Sequence, residues 1–209
     1  MDYSLNEIEL IAKRATRGAG YVWGMAEEAA KATRWLCSRD MDGGSELARL
    51  LQRELSQNPD KHVPINIEGD WKGAEVLCPL MVGASLSDCA ARLKRAPIRT
   101  GRIASPAILL PFGANAARAL ECSISLECDG FKAVTDGIEL SAPDEFPVEV
   151  DAVSVRIGGM LGDLRAHRTR SHPDPDGWEI LEAFARKTYA PATEQSRLLG
   201  AGAGLSDND

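Results

Sequence analysis

A chain of 209 residues, 44% of them hydrophobic, is long enough to bury a sizeable core. Its 24 Lys plus Arg against 31 Asp plus Glu give a net charge of −7, which opposes non-specific attraction to nucleic acid. The start Met1-Asp2-Tyr3-Ser4 is acidic and polar where a secretory leader would be basic and then apolar, and no run approaches the roughly 18 apolar residues of a membrane span. The expectation is therefore a single cytoplasmic domain over 1–209, without nucleic-acid or membrane partners. It divides into a helical layer over 1–60, a sheet region over 61–160, and a helix with a tail over 161–209.

Ser4 and Glu7 form an S-x-x-E capping box, and Leu5, Ile8, Ile11, Ala12 and Ala15 repeat at helical spacing until Gly18 and Gly20 stop the pattern. A second helix, Met25 to Ser38, puts Ala26, Ala29, Ala30, Thr33, Leu36 and Cys37 on one stripe, with Glu27 and Lys31 as an i, i+4 pair outside it. Ser45 is placed to cap a third helix that carries Leu47, Leu50, Leu51 and Leu55 and ends near Pro59. From Val63 the chain changes to short apolar runs split by Gly and Pro, read as strands over 63–67, 75–82, 98–103, 107–112, 119–128, 131–134, 137–140 and 152–157. A short helix over 86–95, capped by Ser85 or Ser87, interrupts them, and Cys128-Asp129-Gly130-Phe131 predicts a hairpin turn. Most of these connections are too short for parallel crossovers, so the fold class is α+β: N-terminal helices packed on a mostly antiparallel sheet, one C-terminal helix over 177–188, and a Gly-rich tail.

The five cysteines are odd in number and lack CxxC or Cys/His ligand spacing, so neither a disulfide framework nor a zinc site is signalled. Cys122 and Cys128 share strand parity with Ile124 and Leu126, which predicts two buried thiols.

Function has three handles. Arg165, His167, Arg168, Arg170 and His172 form the one basic cluster with histidines, and guanidinium groups there can hold a phosphate or carboxylate bidentately. Gly158-Gly159-Met160-Leu161-Gly162 ahead of it is only a fragment of a dinucleotide fingerprint, and a Rossmann reading is rejected. His172-Pro173-Asp174-Pro175-Asp176-Gly177 has the start of a calcium loop but Ala183 at its twelfth position, so Asp174 and Asp176 are read as helix N-terminal carboxylates, and no metal site is assigned. Finally, Arg197 with Gly200, Gly202 and Gly204 makes a tail whose backbone can lie against a surface.

Ser4-Leu5-Asn6-Glu7, Arg17-Gly18-Ala19-Gly20, Trp23-Gly24-Met25-Ala26-Glu27-Glu28-Ala29, Pro191, Ser196-Arg197, the Gly-Ala-Gly-Ala-Gly run and the terminal Asp-Asn-Asp together resemble a bacterial family of uncharacterised proteins, domain of unknown function 3726. The resemblance spans both ends of the chain and implies that the tail is part of the module; it implies no activity, fold or catalytic residue. Two functions stay open. One is a small-molecule-binding or accessory module with the tail docked on its own fold or on a symmetry mate in a homo-oligomer. The other is an enzyme acting on an anionic metabolite through the Arg/His cluster. The residues identify no cofactor.

Overall fold

The computed structural model of the protein describes residues 1–189. A two-residue strand β1 (Tyr3–Ser4) runs directly into α1 (Leu5–Gly18), and the capping box closes as expected: Glu7 N donates to Ser4 Oγ at 3.3 Å while Ser4 N donates to Glu7 Oε2 at 2.7 Å. Helix α2 (Trp23–Ser38) follows. Its Lys31 pairs with Glu28 at 2.9 Å rather than with Glu27, which reaches across to Lys13 of α1 at 2.8 Å. Helix α3 (Gly43–Leu51) is capped three residues before the expected position, because Asp42 takes that role: its Oδ1 accepts from Ser45 N at 3.0 Å, and Ser45 lies within the first turn.

Beyond two short 3₁₀ turns comes α4 (Pro79–Asp88), which replaces the end of the expected strand over 75–82 and starts seven residues before the expected helix over 86–95, whose remainder is a 3₁₀ turn over Ala90–Lys94. Strands β2 (Ile98–Arg99) and β3 (Ile103–Ala104) are short, and the expected strand over 107–112 is instead a 3₁₀ turn leading into α5 (Leu110–Leu120). The expected strand over 63–67 is coil, pinned by Ile65 N donating to Lys72 O. Then come β4 (Ile124–Cys128), β5 (Phe131–Thr135), β6 (Leu140–Ser141), β7 (Glu149–Val150), β8 (Ser154–Ile157), β9 (Arg170–Ser171) and α6 (Pro175–Arg186). Strands β4 and β5 make the expected hairpin, pairing Cys128 with Phe131; Gly130 at its tip has φ +112°, a conformation that glycine adopts without the Cβ penalty. Asp174 caps α6 by accepting from Asp176 N and Gly177 N, as its position before the helix implied.

The architecture is α+β, and every ladder joining these named strands is antiparallel. The main sheet has the order β2-β8-β4-β5-β6, and two ribbons, β1-β9 and β3-β7, stand beside it. Helix α1 packs on α2 and α6, α3 packs on α2 and α6, and α5 lies across β4 and β5 with α4 against its side. One apolar cluster runs through all of these, from Ile8 in α1 through Trp71, Phe112 and Leu126 to Ala185 in α6.

The thiol expectation is corrected. Cys122 falls in the turn after α5, before the strand begins, and Cys128 sits at the hairpin mouth, so both are half-buried; the buried thiols are Cys37 and Cys78, at 1% and 0% exposure. Among the described residues no helix is long and apolar enough to cross a membrane.

Candidate functional site

The segment after β8 builds the site. Gly158 and Gly159, with φ of +100° and +112°, turn the chain into coil rather than helix, in keeping with the rejected dinucleotide motif. The chain then runs along the edge of β6, where Leu164 bridges Ser141 and Arg165 N donates to Leu140 O at 2.8 Å. It crosses the end of α2, with Arg168 N on Ser38 O at 2.9 Å, and enters β9, which pairs Ser171 with Tyr3 and Arg170 with Ser4. The basic run is thereby strapped across the junction of α2, the 39–42 turn and β1.

Each basic side chain of the run meets an acidic group far away in sequence. Arg165 has a side chain only 14% exposed; it pairs with Asp144 and donates to the Arg39 and Asp40 carbonyls, so its donors are engaged in fastening the strap. His167 Nε2 lies 3.0 Å from Glu139, and Arg168 Nη2 lies 3.0 Å from Asp40 Oδ2. The hydrogen bond from Arg168 holds the Asp40 carboxyl below the usual carboxylate range and correspondingly raises the arginine. Arg170 pairs with the Asp2 carboxylate and donates to its carbonyl at 3.1 Å, while His172 Nε2 stands 3.6 Å from the same carboxylate.

A cleft of about 730 Å³ opens between the two sides of this junction. One wall is the unbroken run from His167 to His172; the other carries Asp2, Cys37 and the Asp40–Asp42 turn. Of the expected basic residues, His167, Arg168, Arg170 and His172 line the cleft together and Arg165 lies outside its lining. Arg197, Gly200, Gly202 and Gly204 lie outside the described residues. The acidic wall was missed from sequence, since nothing local ties Asp2, Asp40 or Asp42 to a segment more than a hundred residues away; only the charge excess hinted that the arginines would find partners.

The cleft also holds a thiol. Cys37 lies beside the N-terminus of α3, but burial pushes its pKa up against the opposing pull of the Ser171 hydroxyl and the Gly43 and Gly44 amides. A thiol that favours its neutral form packs and does not attack. Arginine, imidazole and hydroxyl groups lining this cleft can bind an anion. Among the described residues no group of three or more His, Cys, Asp or Glu is placed to hold a metal ion.

Residues 3–70 match the model of a family described as "Protein of unknown function (DUF3726)", which bears out the resemblance over β1, α1, α2 and α3. The Pro191, Ser196-Arg197 and glycine-alanine motifs of the tail fall beyond that match. No curated protein matches the chain.

Proposed function

We propose that this protein is a small-molecule-binding module whose ligand is an anion, a phosphate or a carboxylate, held in the cleft by Arg168, Arg170, His167 and His172. One observation carries the reading: four basic side chains line a single cleft whose volume of about 730 Å³ falls within the ligand-site range of roughly 300–1,000 Å³. Their present partners do not block it. The Arg168 and Arg170 side chains are 54% and 52% exposed, and exposed ion pairs are worth only about 0.2–1 kcal/mol, so an incoming anion can displace Asp40 or Asp2 at small cost. Each guanidinium has five donors and spends no more than two of them on Asp40 or Asp2, which leaves room for a bidentate contact.

The test is a melting series with inorganic phosphate and citrate at constant ionic strength, on the wild type and on the double variant Arg168→Ala/Arg170→Ala. Ligand at about 100 times its Kd stabilises the native state by about 2.7 kcal/mol. For a chain of this size that is a rise in Tm of roughly 5–10 °C. The rise should vanish in the double variant. No rise in the wild type, or the same rise in the variant, would reject the site.

A further inference from the structure

The cations of this acidic chain are almost all engaged. Among the described residues every Lys and Arg side chain meets a carboxylate, a backbone or hydroxyl oxygen, or an aromatic ring, except Arg92, Lys94, Arg95 and Arg99. These four fall together, on and just after the 3₁₀ turn that follows α4 and on β2. The chain around them holds no Asp or Glu between Asp88 and Glu121, although acids outnumber bases overall. Lys94, Arg95 and Arg99 are exposed and Arg92 is half-buried. A surface stripped of carboxylates in an otherwise acidic molecule leaves its cations to another molecule.

A second observation shapes that molecule. Arg92 and Arg95 rim a notch of about 90 Å³ between this turn and the 67–71 loop. Trp71 fixes the loop in place: its backbone N donates to Arg99 O at 2.7 Å and its indole Nε1 to Ile67 O at 2.8 Å. The Ile67 side chain is left 39% exposed, facing the notch with the exposed Ala96 and Pro97. Small-molecule sites run to roughly 300–1,000 Å³, so the notch is too small for a metabolite and has room for about one aliphatic side chain. Trp71, the one aromatic residue lining it, is fully buried and offers no face on which a nucleobase could stack. Glu68 and Asp70, on either side of Gly69 in the loop, oppose contact with an anionic bilayer.

We infer that this surface docks an acidic peptide segment of a partner protein, with an aliphatic side chain in the notch against Ile67, Ala96 and Pro97 and the flanking carboxylates on Arg92 and Arg95. Charge complementarity selects the occupant. Guanidinium groups whose donors are unspent offer carboxylates bidentate contacts, and an apolar anchor between them fixes the register of the peptide. None of the residues involved lines the anion cleft, so the two readings stand independently.

Dye-labelled peptides of the form Glu-Glu-X-Glu-Glu, with X as Gly, Val or Leu, titrated into the full chain at fixed ionic strength and followed by fluorescence anisotropy, test it. Saturable one-to-one binding is expected, tightest with Val or Leu and several-fold weaker with Gly. The charge reversal Arg92→Glu/Arg95→Glu should weaken the best peptide at least tenfold, and Ile67→Ser a few-fold. Absence of saturable binding, an affinity indifferent to X, or one unchanged by the charge reversal would overturn the inference. So would tighter binding of a labelled oligothymidylate, or of vesicles containing phosphatidylserine, that the same reversal abolishes, since the surface would then belong to a nucleic acid or a membrane. Should the charge reversal fail to fold, an unchanged affinity in Ile67→Ser overturns it equally. The variant Arg168→Ala/Arg170→Ala should bind the peptide as the wild type does, so failure of the anion reading leaves this result intact.

Discussion

Cys37 and Cys78 differ from the other three thiols in what surrounds them. Cys78 is wholly enclosed, with the Tyr21 hydroxyl 3.4 Å from its sulfur, and burial drives the ionisation of both groups upward. Cys89, Cys122 and Cys128 are half-buried. A thiol reagent added without denaturant should therefore label those three and spare Cys37 and Cys78 until the chain unfolds, followed by mass spectrometry of the labelled peptides. Rapid labelling of Cys78 in the native state would contradict the packing. Strand parity misassigned Cys122 because parity applies only inside a ladder and β4 pairs from Ile124 onward, whereas Cys128 lies in the ladder but at its last pair before the turn, where the strand end is partly open to solvent. Chemistry at the level of single residues was otherwise visible where the partner lay close in sequence, as with Ser4 and Glu7 or Asp174 and Gly177.

At the scale of elements, legibility followed the hydrophobic period. Helices α1, α2 and α6 carry a 3.6-residue stripe and were read within a few residues of their ends. Ala107-Ile108-Leu109-Leu110-Pro111-Phe112 has no stripe, because it is apolar on every side, and an unbroken apolar run fits a buried strand or a buried helix equally. Proline decides between them here. Pro106 and Pro111 occupy first-turn positions of the 3₁₀ turn and of α5, and Pro79 does the same for α4, where a missing N–H costs nothing. The crossing of α4 and α5 rests on Gly83, since a Cβ at that position would fall onto the Phe112 ring. Gly83→Ala gains up to about 1 kcal/mol of helix propensity, but overpacking costs typically 1–3 kcal/mol and a fully buried Phe112 has little room to yield. The clash should win. Urea unfolding should show a net loss of stability, and an increase would show that the two helices are free to separate.

For the whole molecule, acid is the informative perturbant. Hydrogen bonds from Arg53 and Arg102 hold Glu149 below its ordinary pKa, Lys132 and Arg156 do the same for Glu127, and Arg168 for Asp40. Their stabilisation is fully present above the unfolded values of 4.5 and 3.8 and is lost as pH falls through the lower folded values. Glu46 acts in the opposite direction: burial raises its folded pKa, so stability declines as pH rises from 4.5 through that folded value. Urea midpoints between pH 3 and 8 should fall at the acid end for the wild type, and Glu46→Gln should remove the decline above pH 4.5 that this carboxylate causes. A wild type more stable at pH 3 than at pH 7, or identical curves for the two proteins above pH 4.5, would refute that assignment. The candidate anion site was half legible in the same global sense. Its basic wall is six consecutive residues, whereas the acidic wall is assembled from distant turns and strand ends that only the completed fold brings together.

The seam between β1 and β9 has a consequence for biosynthesis. Asp2 and Arg170 are 168 positions apart, and the Tyr3 ring stacks on Trp178 with centroids 4.1 Å apart. A ribosome adding about 5–20 residues per second must extend the chain for roughly ten to thirty seconds after Asp2 before Arg170 exists. Helices α1 and α2 are neighbours in sequence and can dock during that interval, but one wall of the larger cleft is absent from the nascent protein until β9 has been translated. A ligand of that cleft would meet only chains already extended past β9, and it would stabilise the assembled junction without rescuing an arrest before that point.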